Sequence, residues 1–351
     1  MSLFSSFDIN ASGMTAQRYR MDIISQNVAN ANTTRTSDGT PYRRKSVIFA
    51  EKSGGVTFSN VLGNAAGKYQ GKGVKVVSTF EDHSAYTGGS IYINGTDTTI
   101  LDSNITKSTA DYGGAVFIQG INAKIEGGNI SYCTCTYDGG AIYVNGTNAH
   151  ISADFAYCNA SSVDTPNIKG NGGAIYVNGE NASISNSILN LNNATDYGGA
   201  IYWESMDGNI TECYFLANNA SNGGAVYGDN YCDVTINKTY FENNSADFGG
   251  AVMIEDNGNI DNSLFESNSA TSYGGAIYAD SEATINNTDF TGNKAETGGA
   301  VAIADGNISN STFTKNTANS GGAVAAAGEV VVDGVSFEAN KAKDKSNNII
   351  S

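Results

Sequence analysis

The chain has 351 residues, with 40% apolar residues, 42 Gly and only 2 Pro, a composition that favours ordered turns over a disordered chain. Residues 1–82 carry 10 Lys and Arg against 6 Asp and Glu, whereas the remainder carries 9 against 29. Because an acidic surface repels nucleic acid and anionic membranes, we expect neither as a partner. No apolar run reaches the roughly 18 residues that span a bilayer, so we expect no membrane insertion.

The N-terminal segment predicts a helix over residues 5–31, followed by short strands at 46–51, 56–62 and 73–80. Met14, Met21 and Val28 recur every seven residues, with Ile24 on the same side of the helix. Such an apolar stripe is typical of a helix that packs on a partner helix. The alternative is that the stripe packs within its own domain.

Three motifs distinguish this segment: Ser12-Gly13-Met14-x-Ala16-Gln17-Arg18, Asn27-x-Ala29-Asn30-x-Asn32-Thr33-Thr34 and Gly39-x-Pro41-Tyr42-Arg43-Arg44-Lys45. Together they resemble the flagellar basal-body rod proteins, most closely those of the proximal-rod FlgC type. The resemblance covers residues 1 to about 82. Beyond Asp82 the family continues with a Pro-rich link and a long C-terminal helix, whereas this chain continues with Gly-Gly repeats.

The resemblance implies that the N-terminal helix packs with a C-terminal helix of the same chain and that the pair polymerises into the rod. The residues it implies for assembly are Met14, Met21, Ile24, Asn27, Val28 and Asn30. It also implies rod and basal-body subunits as partners, and export to the basal body by the flagellar apparatus. We therefore expect no cleaved secretory signal, in agreement with an N-terminus that has no basic residue before Arg18 and no apolar core.

From residue 88 onwards a repeat of 23 to 33 residues dominates the sequence. Gly-Gly pairs begin at 88, 113, 139, 172, 198, 223, 249, 274, 298 and 321, and most turns also contain Phe-x-x-Asn, as at 241–244. A period in this range is typical of a solenoid whose repeats stack on their neighbours.

The apolar pattern predicts which side chains line the interior. The third residue after the first Gly of each pair is always Ile or Val, which marks the inward face of a strand. Ile184, Ile210 and Ile236 mark a second strand, five residues before the Phe-type position. We expect the Asn side chains to stack along the axis and the Gly pairs to allow a corner with positive φ. Cys133 and Cys158 occupy the Asn position, as buried thiols or as a disulfide.

The prediction is an all-β chain: a single-stranded right-handed parallel β-helix of about ten coils over residues 83–340, after the N-terminal helix and a small β segment. A charged tail, 341–351, is expected to follow. The repeats resemble those of polymorphic outer-membrane proteins and adhesin-like β-helix proteins. This second resemblance implies a surface or extracellular protein that binds glycan or a host or cell-surface protein.

An aromatic stripe is expected to project outward, because it alternates with the inward Ile/Val column. Its tyrosines are Tyr92, Tyr143, Tyr176, Tyr202, Tyr227 and Tyr278, with Phe117 and Met253 at equivalent positions. One hypothesis is a binding face for glycan or protein, since aromatic rings stack on sugars and anchor interfaces. The alternative is that the rings stack on each other and bind nothing.

Nothing in the pattern identifies a catalytic site, a metal site or a cofactor. His83 and His150 are the only histidines, and no Arg follows Arg44, so basic partners for acid–base chemistry are scarce. We expect a non-enzymatic structural protein of the flagellar basal body that carries a β-helix. A surface adhesin-like β-helix is the alternative. A polysaccharide-active enzyme is a weaker one, which rests only on the abundance of Asp and Glu, since glycoside cleavage uses a pair of carboxylates.

Overall fold

The computed structural model describes residues 3–30, 45–51, 74–81, 88–161, 170–343 and 349–350. The chain divides into two compact units, Met1–Ser84 and Ala85–Ser351. The predicted strand at 56–62 lies outside the described residues.

The N-terminal unit contains helix α1, Leu3–Ala29, and strands β1, Lys45–Glu51, and β2, Val74–Glu81. The two strands pair antiparallel, with an irregularity between Ile48 and Phe49. The helix contacts both strands. The segment thus forms the predicted helix and two of the predicted strands.

The second unit is a parallel β-solenoid of about ten turns, which confirms the predicted fold. Each turn contributes short strands to three long faces and, in most turns, to a short fourth one. The first face holds Ile91–Ile93, Val116–Ile118, Ile142–Val144, Ile175–Val177, Ile201–Trp203, Val226–Gly228, Val252–Ile254, the start of Ile277–Asn286 and of Val301–Ser309, Val324–Ala326 and Ile349–Ile350.

The second and third faces follow in each turn. The second face holds the start of Thr99–Thr106, Lys124–Ser131 and His150–Ala156, then Ser183–Ser185, Asp207–Thr211, Asp233–Asn237, Gly258–Asp261, the end of Ile277–Asn286 and of Val301–Ser309, and Val330–Asp333. The third face holds the end of Thr99–Thr106, Lys124–Ser131 and His150–Ala156, then Ile188–Asn190, Tyr214–Leu216, Tyr240–Glu242, Leu264–Glu266, Asp289–Thr291, Thr312–Thr314 and Ser336–Glu338.

The fourth face closes the turn with two to five residues. Its strands are Thr109–Ala110, Thr134–Cys135, Asn159–Ala160, Asn193–Ala194, Ser245–Phe248, Ser269–Tyr273, Thr317–Ala318 and Lys341–Ala342. Two described strands, Lys341–Ala342 and Ile349–Ile350, belong to the segment expected to be a charged tail, and both pair in parallel with the preceding turn.

The interior consists of columns of like side chains, one from each turn. From Val116 to Val324, every Ile or Val of the predicted first-face column is fully buried. Phe215, Phe241, Phe265, Phe290 and Phe313 form a second column of buried rings, with neighbouring centroids 4.6 to 5.1 Å apart. The predicted lining of branched aliphatics is therefore confirmed.

The Asn of Phe-x-x-Asn forms the predicted ladder at a buried corner. Asn218 donates from its backbone N and from Nδ2 to Oδ1 of Asn244, at 2.9 and 3.0 Å. The Asn244 amide in turn donates to the Phe215 carbonyl oxygen at 2.9 Å. The pattern repeats from Asn192 to Asn340, so these buried amides receive partners from neighbouring turns. Cys133 and Cys158 occupy the same column as free, buried thiols.

The Gly pair is required by the backbone at the next corner. Gly198, as an example, has φ of 63°, a conformation that L-residues with a Cβ adopt at a cost. A Cβ on Gly199 would lie 2.1 Å from the carbonyl oxygen of Gly224 in the following turn. The first glycine therefore serves the turn, and the second lets consecutive turns approach closely.

Candidate functional site

Two surfaces are candidates for function: the helix stripe in the N-terminal unit and the aromatic column on the first face of the solenoid. We define the aromatic column as the outward residue of each first-face strand from Tyr92 to Tyr278. The structure places the two candidates in different units.

The helix stripe is exposed to solvent. Met14, Met21, Ile24 and Val28 are 69%, 62%, 42% and 72% exposed, respectively. Exposed apolar side chains on one side of a helix are typical of a surface that packs against another molecule. Its role in assembly stays a prediction.

The opposite side of the helix is held within its own unit. Ala16 and Ile23 are buried, and the helix contacts β1 and β2. Asn27 fixes the end of the helix, because its Nδ2 donates to the Lys45 carbonyl oxygen and its Oδ1 accepts from the Lys45 N, both at 2.8 Å. The Asn30 Nδ2 donates to the Gln26 carbonyl oxygen at 2.9 Å, within the last turn. Asn27 and Asn30 therefore have local structural roles in the unit.

The aromatic column lies outside the interior but is largely covered. Tyr176, Tyr202 and Tyr227 are only 7%, 7% and 2% exposed, whereas Tyr92 is 46% exposed. The rings from Phe117 to Tyr227 stack face to face, with centroids 4.7 to 5.3 Å apart. Their faces are therefore occupied by neighbouring rings. The binding role predicted for this stripe stays a prediction.

The covering side chains come from the residue that precedes each Gly pair, which we call the corner column. It includes Tyr197, whose ring centroid is 4.5 Å from that of Tyr227, and Phe248, which packs near Tyr278 at 6.0 Å. These residues are not among those predicted from the sequence. The pattern is nevertheless visible there, since an aromatic residue stands directly before Gly-Gly at Tyr112, Tyr197, Phe248 and Tyr273.

A row of hydrogen-bond acceptors, which we call the acceptor column, runs beside the rings. Each member stands two residues after the outward residue of its turn. Tyr176 donates from its hydroxyl to Glu204 in the next turn at 2.5 Å, and Tyr202 donates likewise to Asp229 at 2.5 Å. Tyr227 donates to Glu255 and Tyr92 to Gln119 in the same way. Hydrogen bonds from Tyr hydroxyls, three of them to carboxylates, thus tie consecutive turns together on the outer surface.

Burial and nearby carboxylates make these phenols hard to ionise. Burial raises the pKa of Tyr143 to about 12, and the neighbouring Asp138 adds to the shift. Burial, together with the bond to Glu204 or Asp229, raises the pKa of Tyr176 and Tyr202 further. Burial also raises the pKa of the Asp138 carboxyl to about 7. Hydrogen bonds from Asn171 lower this pKa, but by less than burial raises it. These tyrosines are therefore neutral hydrogen-bond donors near pH 7.

The described residues hold no group of three or more His, Cys, Asp or Glu side chains arranged to hold a metal ion. Helix α1 is not apolar enough to cross a bilayer. A hydrogen bond of 2.9 Å joins the His150 Nδ1 to the Ser183 Oγ in the neighbouring turn. His83 lies outside the described residues.

Family models match both parts of the chain. Residues 7–35 match the flagella basal body rod protein model. Residues 262–280 and 310–327 match the Chlamydia polymorphic membrane protein repeat. No solved structure matches the chain significantly.

Curated relatives match the N-terminal part. A flagellar basal-body rod protein FlgC of Borrelia hermsii is 56% identical over 52 residues, which are 15% of this chain and 88% of the relative. FlgC of Borreliella burgdorferi is 44% identical over 89 residues, 24% of this chain and 56% of the relative. FlgC of Bacillus subtilis is 41% identical over 92 residues, 24% of this chain and 60% of the relative.

The chain thus spans little more than half the length of two of these relatives, and the matched segment includes the exposed helix stripe. The solenoid contains the second family's repeat. By its N-terminal unit, the chain belongs to the family of flagellar basal-body rod proteins.

Proposed function

We propose that the protein is a non-enzymatic structural subunit of the flagellar basal body, of the proximal-rod type, which carries the β-solenoid as an additional domain. The observation that carries this proposal is the exposed helix stripe. Met14, Met21 and Val28 project from a helix whose other side is already packed, so these side chains are available to another subunit.

The partner of the stripe comes from other subunits in this proposal. Among the described residues, α1 is the only helix, and the solenoid contributes strands alone. Burying several large apolar side chains contributes roughly 1.5–3 kcal/mol each, enough to drive helix association in a polymer. The family relationship supports rod and basal-body subunits as these partners.

The test is recovery of the full chain with purified basal bodies. The variant Met14→Ser, Met21→Ser should lose most of this recovery, because it removes two exposed apolar contacts. The matched control, Asp22→Ser, Gln26→Ser, changes exposed polar residues on a side of the same helix that is away from both the stripe and the buried side, and should be recovered like the wild type. Equal recovery of the stripe variant would contradict the proposal, as would unchanged export from cells that lack the flagellar exporter.

We propose as a second candidate that the protein is a surface-exposed, adhesin-like binding protein. The match of two segments to a polymorphic membrane protein repeat supports this role. Recovery from the cell surface instead of from basal bodies, together with binding of the purified chain to intact cells, would favour this candidate over the first.

A further inference from the structure

The aromatic column ends abruptly near the C-terminal end of the solenoid. Tyr278 pairs in register with Ala302 in the next turn, and Ala302 pairs with Ala325. Turns before this point place Tyr, Phe or Met at the same position. The ring of Tyr278 therefore faces two small methyl side chains where the pattern of the fold would place further rings.

Two neighbouring columns change at the same turn. The acceptor column runs through Glu204, Asp229, Glu255 and Asp280 and then becomes Ala304 and Ala327. The corner column runs through Phe248 and Tyr273 and then becomes Thr297 and Ser320. Large and charged side chains are thus replaced by small ones along three adjacent lines, which opens a groove.

The groove has a volume of about 430 Å³, within the roughly 300–1,000 Å³ of small-molecule sites. The residues that line it come from three successive turns: Tyr273, Tyr278 and Asp280, then Thr297 and Ala302, then Ser320 and Ala325. Aromatic rings, small apolar side chains, hydroxyl groups and a carboxylate therefore line one groove.

Tyr278 also differs from the other tyrosines in its hydrogen bond. Tyr176, Tyr202 and Tyr227 donate to a carboxylate in the following turn. The equivalent position for Tyr278 is Ala304, and its hydroxyl instead donates to Asp280 of its own strand, at 2.6 Å. The following turn thus gives Tyr278 neither an aromatic ring to stack on nor a side-chain acceptor for its hydroxyl group.

We propose that this groove binds a neutral hexose ring of a glycan, stacked on Tyr278 in the place of the missing ring. A pyranose presents a flat face of C–H groups to an aromatic ring, and its hydroxyl groups suit the carboxylate of Asp280 and the hydroxyls of Thr297 and Ser320. Asp280 and the net acidity of the solenoid disfavour an anionic sugar. This inference refines the second proposed function and is independent of the rod role.

The test is binding of the full chain to an array of neutral oligosaccharides of glucose, galactose, mannose and N-acetylglucosamine, with uronic-acid oligosaccharides beside them. We expect capture by at least one neutral series and at least tenfold weaker capture by uronic acids. Tyr278→Ala should weaken binding at least tenfold, because it removes the aromatic ring. Tyr231→Ala, an 82% exposed tyrosine outside the groove, should bind like the wild type.

A second variant separates binding from folding. Ala302→Tyr, Ala325→Tyr fills the groove with residues that the fold accepts at the same position in earlier turns. We expect it to lose binding at least tenfold, with a Tm equal to or above that of the wild type. Absence of capture by any neutral oligosaccharide would overturn the inference, as would wild-type binding by the filled variant or equal capture of uronic acids. Cell binding that persists without glycan capture would overturn it while leaving the second proposed function in place.

Discussion

The two units of the chain differ in whether their apolar side chains are exposed or buried. In the N-terminal unit, Met14, Met21 and Val28 are more than 60% exposed along one side of a helix. In the solenoid, the aliphatic and Phe columns are fully buried from Val116 to Val324 and from Phe215 to Phe313, because each turn there is covered by the next. The solenoid therefore completes its own core, whereas the helix leaves an apolar stripe exposed to solvent.

The same contrast holds for polar groups. The amides of the Asn ladder are buried, and each is bonded to a neighbouring turn, as Asn244 is to Asn268 and to the Phe215 carbonyl. In the N-terminal unit, Asn27 bonds within its unit at a half-buried position. Stability in the solenoid is thus a property of stacking, and substitutions in its columns should cost far more than substitutions on the helix stripe.

The largest expected effect on stability comes from a substitution in the Phe column. Phe241→Ala removes a ring that stacks on Phe215 and Phe265 at 4.8 and 4.6 Å and is fully buried. We expect the free energy of unfolding to fall by about 3–5 kcal/mol, because the cavity between fixed turns cannot collapse. Chemical denaturation followed by circular dichroism measures this. The exposed Tyr231→Ala serves as control and should change it by less than about 0.5 kcal/mol. An equal loss in both variants would contradict the column model.

A change of pH should affect the stability of the solenoid to an intermediate degree, because Asp138 ionises. Burial raises its pKa to about 7 in the folded chain, above the ordinary value of 3.8 for an Asp carboxyl. The folded state therefore binds the proton more tightly than the unfolded state, so stability falls as pH rises between about 4 and 7. Asp138→Asn should abolish this contribution. Its Tm should exceed that of the wild type at pH 8, with a smaller difference at pH 4. A difference that is the same at both pH values would contradict the assignment.

Much of the fold follows from the sequence because its signals repeat. The Gly pairs, the Ile/Val column and Phe-x-x-Asn each predict one feature of every turn, and the structure confirms the lining, the ladder and the glycine corner. The sequence pattern does not show where the second face ends and the third begins. The corner between them is formed by residues such as Glu212 and Lys238 with φ of 55° and 49°, and these residue types carry no turn signal.

Other features depend on contacts between turns that no single repeat reveals. A ladder of hydroxyl groups lies at the same corner, where Thr239 N donates to the Ser263 Oγ at 3.2 Å. Trp203 replaces an aliphatic residue in the interior, and Gly208 makes room for it, since a Cβ there would lie 3.1 Å from the indole. The alternation of the strand places the aromatic column outside the interior, but only the corner column explains why Tyr202 and Tyr227 are buried.

The smallest expected effect is on the helix stripe. Met21→Ser changes a side chain that is 62% exposed and should alter the free energy of unfolding by less than about 0.5 kcal/mol. The matched variant Ile23→Ser, on the buried side of the same helix, should lower the melting temperature of the N-terminal unit clearly, because Ile23 is 6% exposed against its own unit. Differential scanning calorimetry of the full chain measures both. If Met21→Ser destabilised the isolated protein as much as Ile23→Ser, the stripe would pack within its own chain, and the contrast between an open helix and a closed solenoid would fail.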